Sequence, residues 1–150
     1  MGGIMTRISI ADKSPVFIDT SAFYAMVNRS DCDHADARLF FLALIRDKVP
    51  MITSNFVLSE TYTLLLLRMG RSAAIQITER IRNSYEIERI SEEDETQAWK
   101  IVTDYTDKDF SYVDATSFAL MARLGLDRAF SFDDHFSQYK GVRKVPAPEF

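Results

Sequence analysis

Cysteine is almost absent from this 150-residue sequence: there is one, Cys32, so an internal disulfide is excluded. Histidine is nearly as rare. Cys32, His34 and His135 are too few and too scattered for a zinc site. Cys32 lies between Asp31 and Asp33 in an expected loop, and the flanking carboxylates disfavour a thiolate, so it reads as an inert thiol. Only five Gly and four Pro are present, and there is no Gly-rich phosphate loop, Gly-x-Ser-x-Gly elbow, internal repeat or linker. A basic surplus is missing too. The net charge of −4 argues against broad, non-specific clamping of nucleic acid, although it leaves room for an enzyme that handles phosphate through metal ions. No long hydrophobic run occurs: residues 56–67 are interrupted by Ser59, Glu60, Thr61 and Thr63, and residues 1–13 are too polar for a signal-peptide core. The expectation is a cytoplasmic protein with no membrane segment. What the chain does have is 47% hydrophobic residues, with eleven Phe and six Tyr, enough bulk for one core without staples.

Apolar runs alternate with helical patterns. Residues 15–19 read as a strand that ends abruptly at Asp19, followed by a helix over 20–27. Ser30 to Asp33 supply cap chemistry for a helix to about residue 48, and 49–52 read as a second strand. Thr53 or Ser54 can cap a helix that stops at Gly70, read as a left-handed terminator; a further helix spans 71–83. Residues 85–90 alternate like a strand near a sheet edge, and Ser91 with Asp94 resembles a capping box for a helix over 92–105. A helix over 112–124 ends at Gly125, a buried strand spans 129–132, a short helical turn follows, and 142–145 suit a last edge strand. The predicted fold is α/β: a three-layer α/β/α single domain with a central, mostly parallel sheet of four to five strands. Residues 1–14 read as a polar N-terminal extension, 15–146 as the domain and 147–150 as a C-terminal tail.

In open parallel sheets ligands gather beyond the carboxyl ends of the strands, where strand order reverses. Asp19 and Asp133 lie at such strand ends; helix capping is the bland alternative for either. Glu60 has Phe56, Val57 and Leu64 as helix-face neighbours, so it faces a cleft, or else reaches water beside Asn55, Ser59 and Thr63. Asp114 falls in the first turn of an apolar helix, where it can also complement the helix dipole. Four acids gathered in one cleft repel each other unless a divalent cation joins them, and Mg²⁺ or Mn²⁺ prefers such hard oxygen ligands.

Four segments, Phe17-Ile-Asp-Thr-Ser-Ala22, Ile52-Thr-Ser-Asn-Phe-Val-Leu-Ser-Glu60, Ser111-Tyr-Val-Asp-Ala-Thr-Ser117 and Phe130-Ser-Phe-Asp-Asp-His-Phe136, together resemble the PIN domain. Within that family they resemble the VapC-type toxin ribonucleases of bacterial and archaeal toxin–antitoxin pairs. The resemblance spans nearly all of residues 16–145. It implies that Asp19, Glu60 and Asp114 are the main metal-binding acids and that Asp133 is the more variable fourth. Ser21 and Ser131 match supporting hydroxyls. The doubled acid leaves Asp134 open as an alternative fourth ligand, although Asp133 fits the pattern better. His34 is assigned a helix-start or packing role, and His135 with Phe136 a role in packing and loop structure.

The resemblance further implies a Mg²⁺- or Mn²⁺-dependent endoribonuclease that hydrolyses RNA with metal-activated water and leaves 5′-phosphate and 3′-hydroxyl ends. It implies RNA as substrate, a small antitoxin protein as partner and a homodimer. Arg68, Arg71, Arg80, Arg82 and Arg123 are candidates for backbone contacts. A PIN nuclease of RNA processing outside toxin systems is the nearest alternative. A haloacid-dehalogenase-like phosphatase is suggested by Asp19-Thr-Ser, but the second Asp that motif needs two residues on is replaced by Ser21. A non-catalytic interaction domain is the third alternative, and the intact acids argue against it.

Overall fold

The computed structural model describes residues 10–147, so most of the polar extension and the last three residues of the tail lie outside the described residues. The elements run β1 (Val16–Ile18), α1 (Thr20–Val27), α2 (His34–Arg46), β2 (Met51–Ser54), α3 (Asn55–Met69), α4 (Arg71–Ser84), β3 (Glu86–Glu88), α5 (Glu92–Asp104), α6 (Tyr112–Leu124), β4 (Arg128–Phe130), α7 (His135–Gln138) and β5 (Arg143–Val145). The five strands form one sheet in the order β3-β2-β1-β4-β5. Every pairing is parallel, with Phe17 opposite Ile52 on one side and Ala129 on the other.

β1 and β4 are fully buried, as expected of central parallel strands covered on both faces. By the right-handed rule for parallel crossovers, the helices of the β1-to-β3 half belong on one face, and α5 and α6, on the return from β3 to β4, belong on the other. Packing agrees with this division. Phe130 of β4 meets Phe40 of α2 edge to face at 4.9 Å, whereas Phe118 of α6 stacks on Tyr139 at 4.4 Å and meets Phe136 of α7 at 5.0 Å.

Several boundaries differ from the hydrophobic pattern, each for a local reason. The strand expected at 49–52 runs later, because the Val49 N–H is taken by the Leu44 carbonyl. The strand expected at 129–132 starts at Arg128, a buried cation whose guanidinium donates to the carbonyls of Asp12 (3.2 Å) and Ser14 (2.6 Å). It ends early because the Phe132 N–H donates to the Ser21 hydroxyl instead of the ladder. Gly70 has positive φ but extended ψ (88°, 169°) rather than left-handed helical geometry. The reason is that one residue closes α3, donating to the Leu66 carbonyl, and opens α4, accepting from Ala74. Gly125 does adopt the left-handed conformation (70°, 28°), as a helix terminator should.

The N-terminal segment is not wholly detached: Ile10 is buried and its N–H donates to Asp47 Oδ2 at 2.9 Å. Among the described residues no helix is long and apolar enough to cross a membrane.

Candidate active site

The chain travels from β1 outward to β3, then returns and places β4 on the other side of β1. The strand order reverses between β1 and β4, so a crevice opens beyond their carboxyl ends. Asp19 is the first residue after β1 and serves as N-cap of α1. Its Oδ2 accepts from the Ser21 hydroxyl (2.7 Å), the Ser21 N–H (3.3 Å) and the Ser131 hydroxyl (3.0 Å). The two hydroxyls are themselves 3.1 Å apart. Ser21 therefore joins the ends of β1 and β4, holding Asp19 on one side and the Phe132 N–H on the other.

Asp114 is buried in the first turn of α6, where Ser111 caps the helix by accepting its N–H at 3.0 Å. Its Oδ2 lies 3.1 Å from His135 Nδ1, which is also 3.3 Å from Asp133 Oδ1. Ligand atoms of Asp114, Asp133 and His135 all lie within 4.8 Å of one another. The loop that carries Asp133 is braced by its own backbone: the Asp133 N–H donates to Ser131 and the His135 N–H to Asp133 Oδ1. Glu60 comes from the second turn of α3, half-buried.

Asp19 and Glu60 fall outside that 4.8 Å donor set, and charge repulsion is what links them to it. Burial raises the Asp19 carboxyl to about 7, and repulsion from Asp114 and Glu60 adds to it against the opposing serine hydrogen bonds. Burial likewise raises Asp114 to about 6, with further repulsion from Asp133 and Glu60 and a partial offset from His135. Among the described residues Asp19 Oδ1 is buried without a hydrogen-bond partner, a costly arrangement for a carboxylate unless something positive meets it. A hard, oxygen-rich donor set with one uncommitted buried oxygen fits a divalent cation of the Mg²⁺ or Mn²⁺ kind.

The other candidates separate clearly. The Asp134 side chain is 86% exposed and pairs with Lys144 at 3.1 Å, away from the cluster. His34, at the start of α2, places Nδ1 2.7 Å from the Ala25 carbonyl and ties α2 to α1. Phe136 is core, but its neighbour His135 faces two acids as well as packing on Phe110 at 5.6 Å. The packing and loop role expected of His135 thus covers only part of its contacts. The one available signal was its position two residues after Asp133. Arg123 is committed to Asp94 through two 2.9 Å hydrogen bonds, which removes it from the arginines free for phosphate. Asp31, Cys32 and Asp33 form a second group of donor side chains, on the loop between α1 and α2.

Two grooves flank the acids and share Leu64 as a wall. One of about 720 Å³ runs along α3 and the start of α6 and includes Phe56, Glu60, Leu67, Tyr112 and Val113. The other, about 600 Å³, includes Ser21, Tyr24, Asp31, Asp33, Arg68 and Phe132.

Comparison with known proteins places this arrangement in context. Residues 16–142 match the PIN domain family. The 23S rRNA-specific endonuclease VapC20 of Mycobacterium tuberculosis is 37% identical over 124 residues, which cover 81% of this chain and 92% of that protein. The crystal structure of M. tuberculosis VapC20, a sarcin–ricin loop cleaving toxin, matches with a TM-score of 0.73 and 38% identity, covering 82% of this chain and 93% of that one. VapBC2 of Rickettsia felis bound to a DNA fragment from its promoter matches with a TM-score of 0.67 at 11% identity, covering 87% of this chain and 96% of that one. At that identity the likeness concerns the fold alone.

Proposed function

Because this chain belongs to the PIN-domain family, we propose that it is a divalent-metal-dependent endoribonuclease of VapC type, the toxin of a toxin–antitoxin pair, acting on the sarcin–ricin loop of 23S rRNA. One observation carries the chemistry: carboxylates from four separate elements repel one another at the strand-order reversal, and one of them, Asp19, has a buried oxygen with no partner among the described residues. The substrate assignment rests on the likeness to VapC20, which extends over 92% of that protein.

In this reading Asp19, Glu60, Asp114 and Asp133 hold Mg²⁺ or Mn²⁺. A bound ion of this kind lowers the pKa of water and neutralises charge on the phosphodiester undergoing attack. The chain's own residues prepare the ligands. Ser21 and Ser131 occupy Asp19 Oδ2 and so fix the carboxylate with Oδ1 uncommitted. In the tautomer that carries a proton on Nδ1, His135 donates to Asp114 and steadies its orientation. Hydrolysis leaves 5′-phosphate and 3′-hydroxyl ends. Residues 15–146 form the nuclease unit, the natural partners are a small antitoxin and a second copy of the chain, and the setting is the cytoplasm.

The test is cleavage of a synthetic sarcin–ricin stem-loop and of total RNA with Mg²⁺, Mn²⁺ or EDTA, with mapping of the new ends. Wild type should cut at discrete positions only with metal. Asp19→Asn, Glu60→Gln and Asp114→Asn should each lower the rate at least a hundredfold, because a neutral amide oxygen is a poorer ligand. Asp134→Asn should stay within threefold of wild type, and Asp133→Asn should fall further. Wild-type cleavage by the Asp114 variant in matched Mg²⁺ would overturn the assignment.

A further inference from the structure

The groove along α3 and the start of α6 contains a feature that the metal site does not use. Phe56 and Tyr112 line it together, with ring centroids 6.3 Å apart and planes inclined by 39°. Phe56 is four residues before Glu60 on α3, a rise of about 6 Å, and Tyr112 is two residues before Asp114 on α6. The same two helices therefore carry two of the acids and the two rings. Tyr112 is 39% exposed, and its hydroxyl donates to Glu95 Oε1 at 2.9 Å, which sets the orientation of an otherwise free surface ring.

We propose that Phe56 and Tyr112 form a stacking subsite for one unpaired nucleobase of the RNA, on the nucleotide flanking the phosphodiester held at the acids. This rests on the nuclease reading and deepens it. Glu60 lines the groove and acts on the acid cluster, so this wall borders the position of the phosphodiester and can take the next nucleoside. The lining suits a base, with aromatic faces, Leu64 and Leu67 for the flat surface and polar groups for its edge. The Ser59 hydroxyl has no partner among the described residues, and Asn55 spends only its Oδ1, on the Ile90 N–H at 2.8 Å, leaving its amide donors for the base edge. Unpaired bases commonly bind by stacking on aromatic side chains.

The experiment uses the full chain in Mn²⁺ with a sarcin–ricin stem-loop carrying 2-aminopurine, or an abasic site, at each unpaired position in turn. If total RNA is cut elsewhere, RNA spanning that mapped cut replaces it. Stopped-flow fluorescence should show quenching at one position beside the cut, before cleavage. Tyr112→Leu should abolish that quenching and raise KM about tenfold with kcat within threefold; Phe56→Leu should act in the same direction. Tyr112→Phe, which keeps the ring and loses only the Glu95 bond, should retain the signal. An abasic site at that position should raise wild-type KM by the same factor and add nothing in Tyr112→Leu. The abasic series needs no protein variant, so it decides even if a substitution impairs folding.

Unchanged KM with every abasic RNA and with Tyr112→Leu would overturn the subsite. So would a Tyr112→Leu protein that becomes monomeric while quenching persists, since the groove would then hold a second copy of the chain. A wild-type protein that cleaves no RNA would overturn the nuclease reading, and this inference with it.

Discussion

At the scale of the residue, Asp19 and Asp114 are the most informative side chains, because both are destabilising in the absence of a cation. Both carboxyls rise from an ordinary value of 3.8, Asp19 to about 7 and Asp114 to about 6. A raised folded pKa means that the native state binds more protons than the unfolded state between those values, so stability falls as pH rises through the window. Metal-free protein should therefore lose on the order of 3 kcal/mol between pH 5 and pH 8. Asp19→Asn should flatten most of that slope and raise the metal-free melting temperature at pH 8 by about 5 °C. Urea denaturation across pH in EDTA measures the slope. A helix-capping role alone predicts a flat profile and no gain on substitution. His135 works in the opposite direction, holding the Asp114 carboxyl down from where burial would otherwise place it. His135→Ala should weaken Mn²⁺ binding by about tenfold, as loss of a partner behind a metal ligand commonly does; isothermal titration calorimetry reads this independently of RNA cleavage.

At the scale of the element, helix beginnings position the site. Asp19 caps α1, and Ser111 caps α6 so that Asp114 is held in its first turn; Ser54 caps α3 by accepting the Val57 N–H and so sets the phase on which Glu60 falls. α5 shows the same chemistry put to purely structural use. Ser91 and Asp94 exchange hydrogen bonds of 3.1 and 2.9 Å, and Asp94 also holds Arg123 of α6. Ser91→Ala should cost about 1 kcal/mol. Asp94→Ala should cost about 2–3 kcal/mol, because it also leaves a half-exposed guanidinium without its carboxylate. Urea midpoints measure both costs. Cleavage per folded molecule should stay unchanged, since neither residue contacts the acid cluster.

At the scale of the whole molecule, the sheet order assembles the site. Because β4 returns to lie beside β1, loops 110 residues apart in sequence meet, and Ser21 and Ser131 bond the two strand ends together. If the four acids hold a cation as proposed, ligands from four elements couple its binding to global stability, so Mn²⁺ at about a hundred times its dissociation constant should stabilise the fold by about 2.7 kcal/mol. That corresponds to roughly 5–10 °C for a chain of this size, reversed by EDTA and reduced in Asp19→Asn and Asp114→Asn. Differential scanning calorimetry checks the shift, and a wild-type melting temperature indifferent to Mn²⁺ would remove the cation from the cluster.

The amino-acid sequence by itself determined the alternation of strands and helices, the caps at Ser91 and Gly125, and the four acids worth suspecting, because each depends on neighbours within about one helical turn or strand. The apolar runs 15–19 and 129–132 read as strands with an acid at the mouth of each; the structure puts their ordered parts, 16–18 and 128–130, side by side and fully buried. Only the tertiary structure decided which of two adjacent acids, Asp133 or Asp134, faces the cluster. That choice depends on the turn after β4, where the Ser131 hydroxyl takes the Asp133 N–H while Lys144 draws Asp134 outward. The same holds for His135, whose two carboxylate partners come from different elements, and for Arg128, whose charge would not suggest a buried strand until the carbonyls of Asp12 and Ser14 meet its guanidinium. Contacts between residues more than a hundred positions apart leave no periodic trace in the chain; they exist only once the sheet has brought the strand ends together.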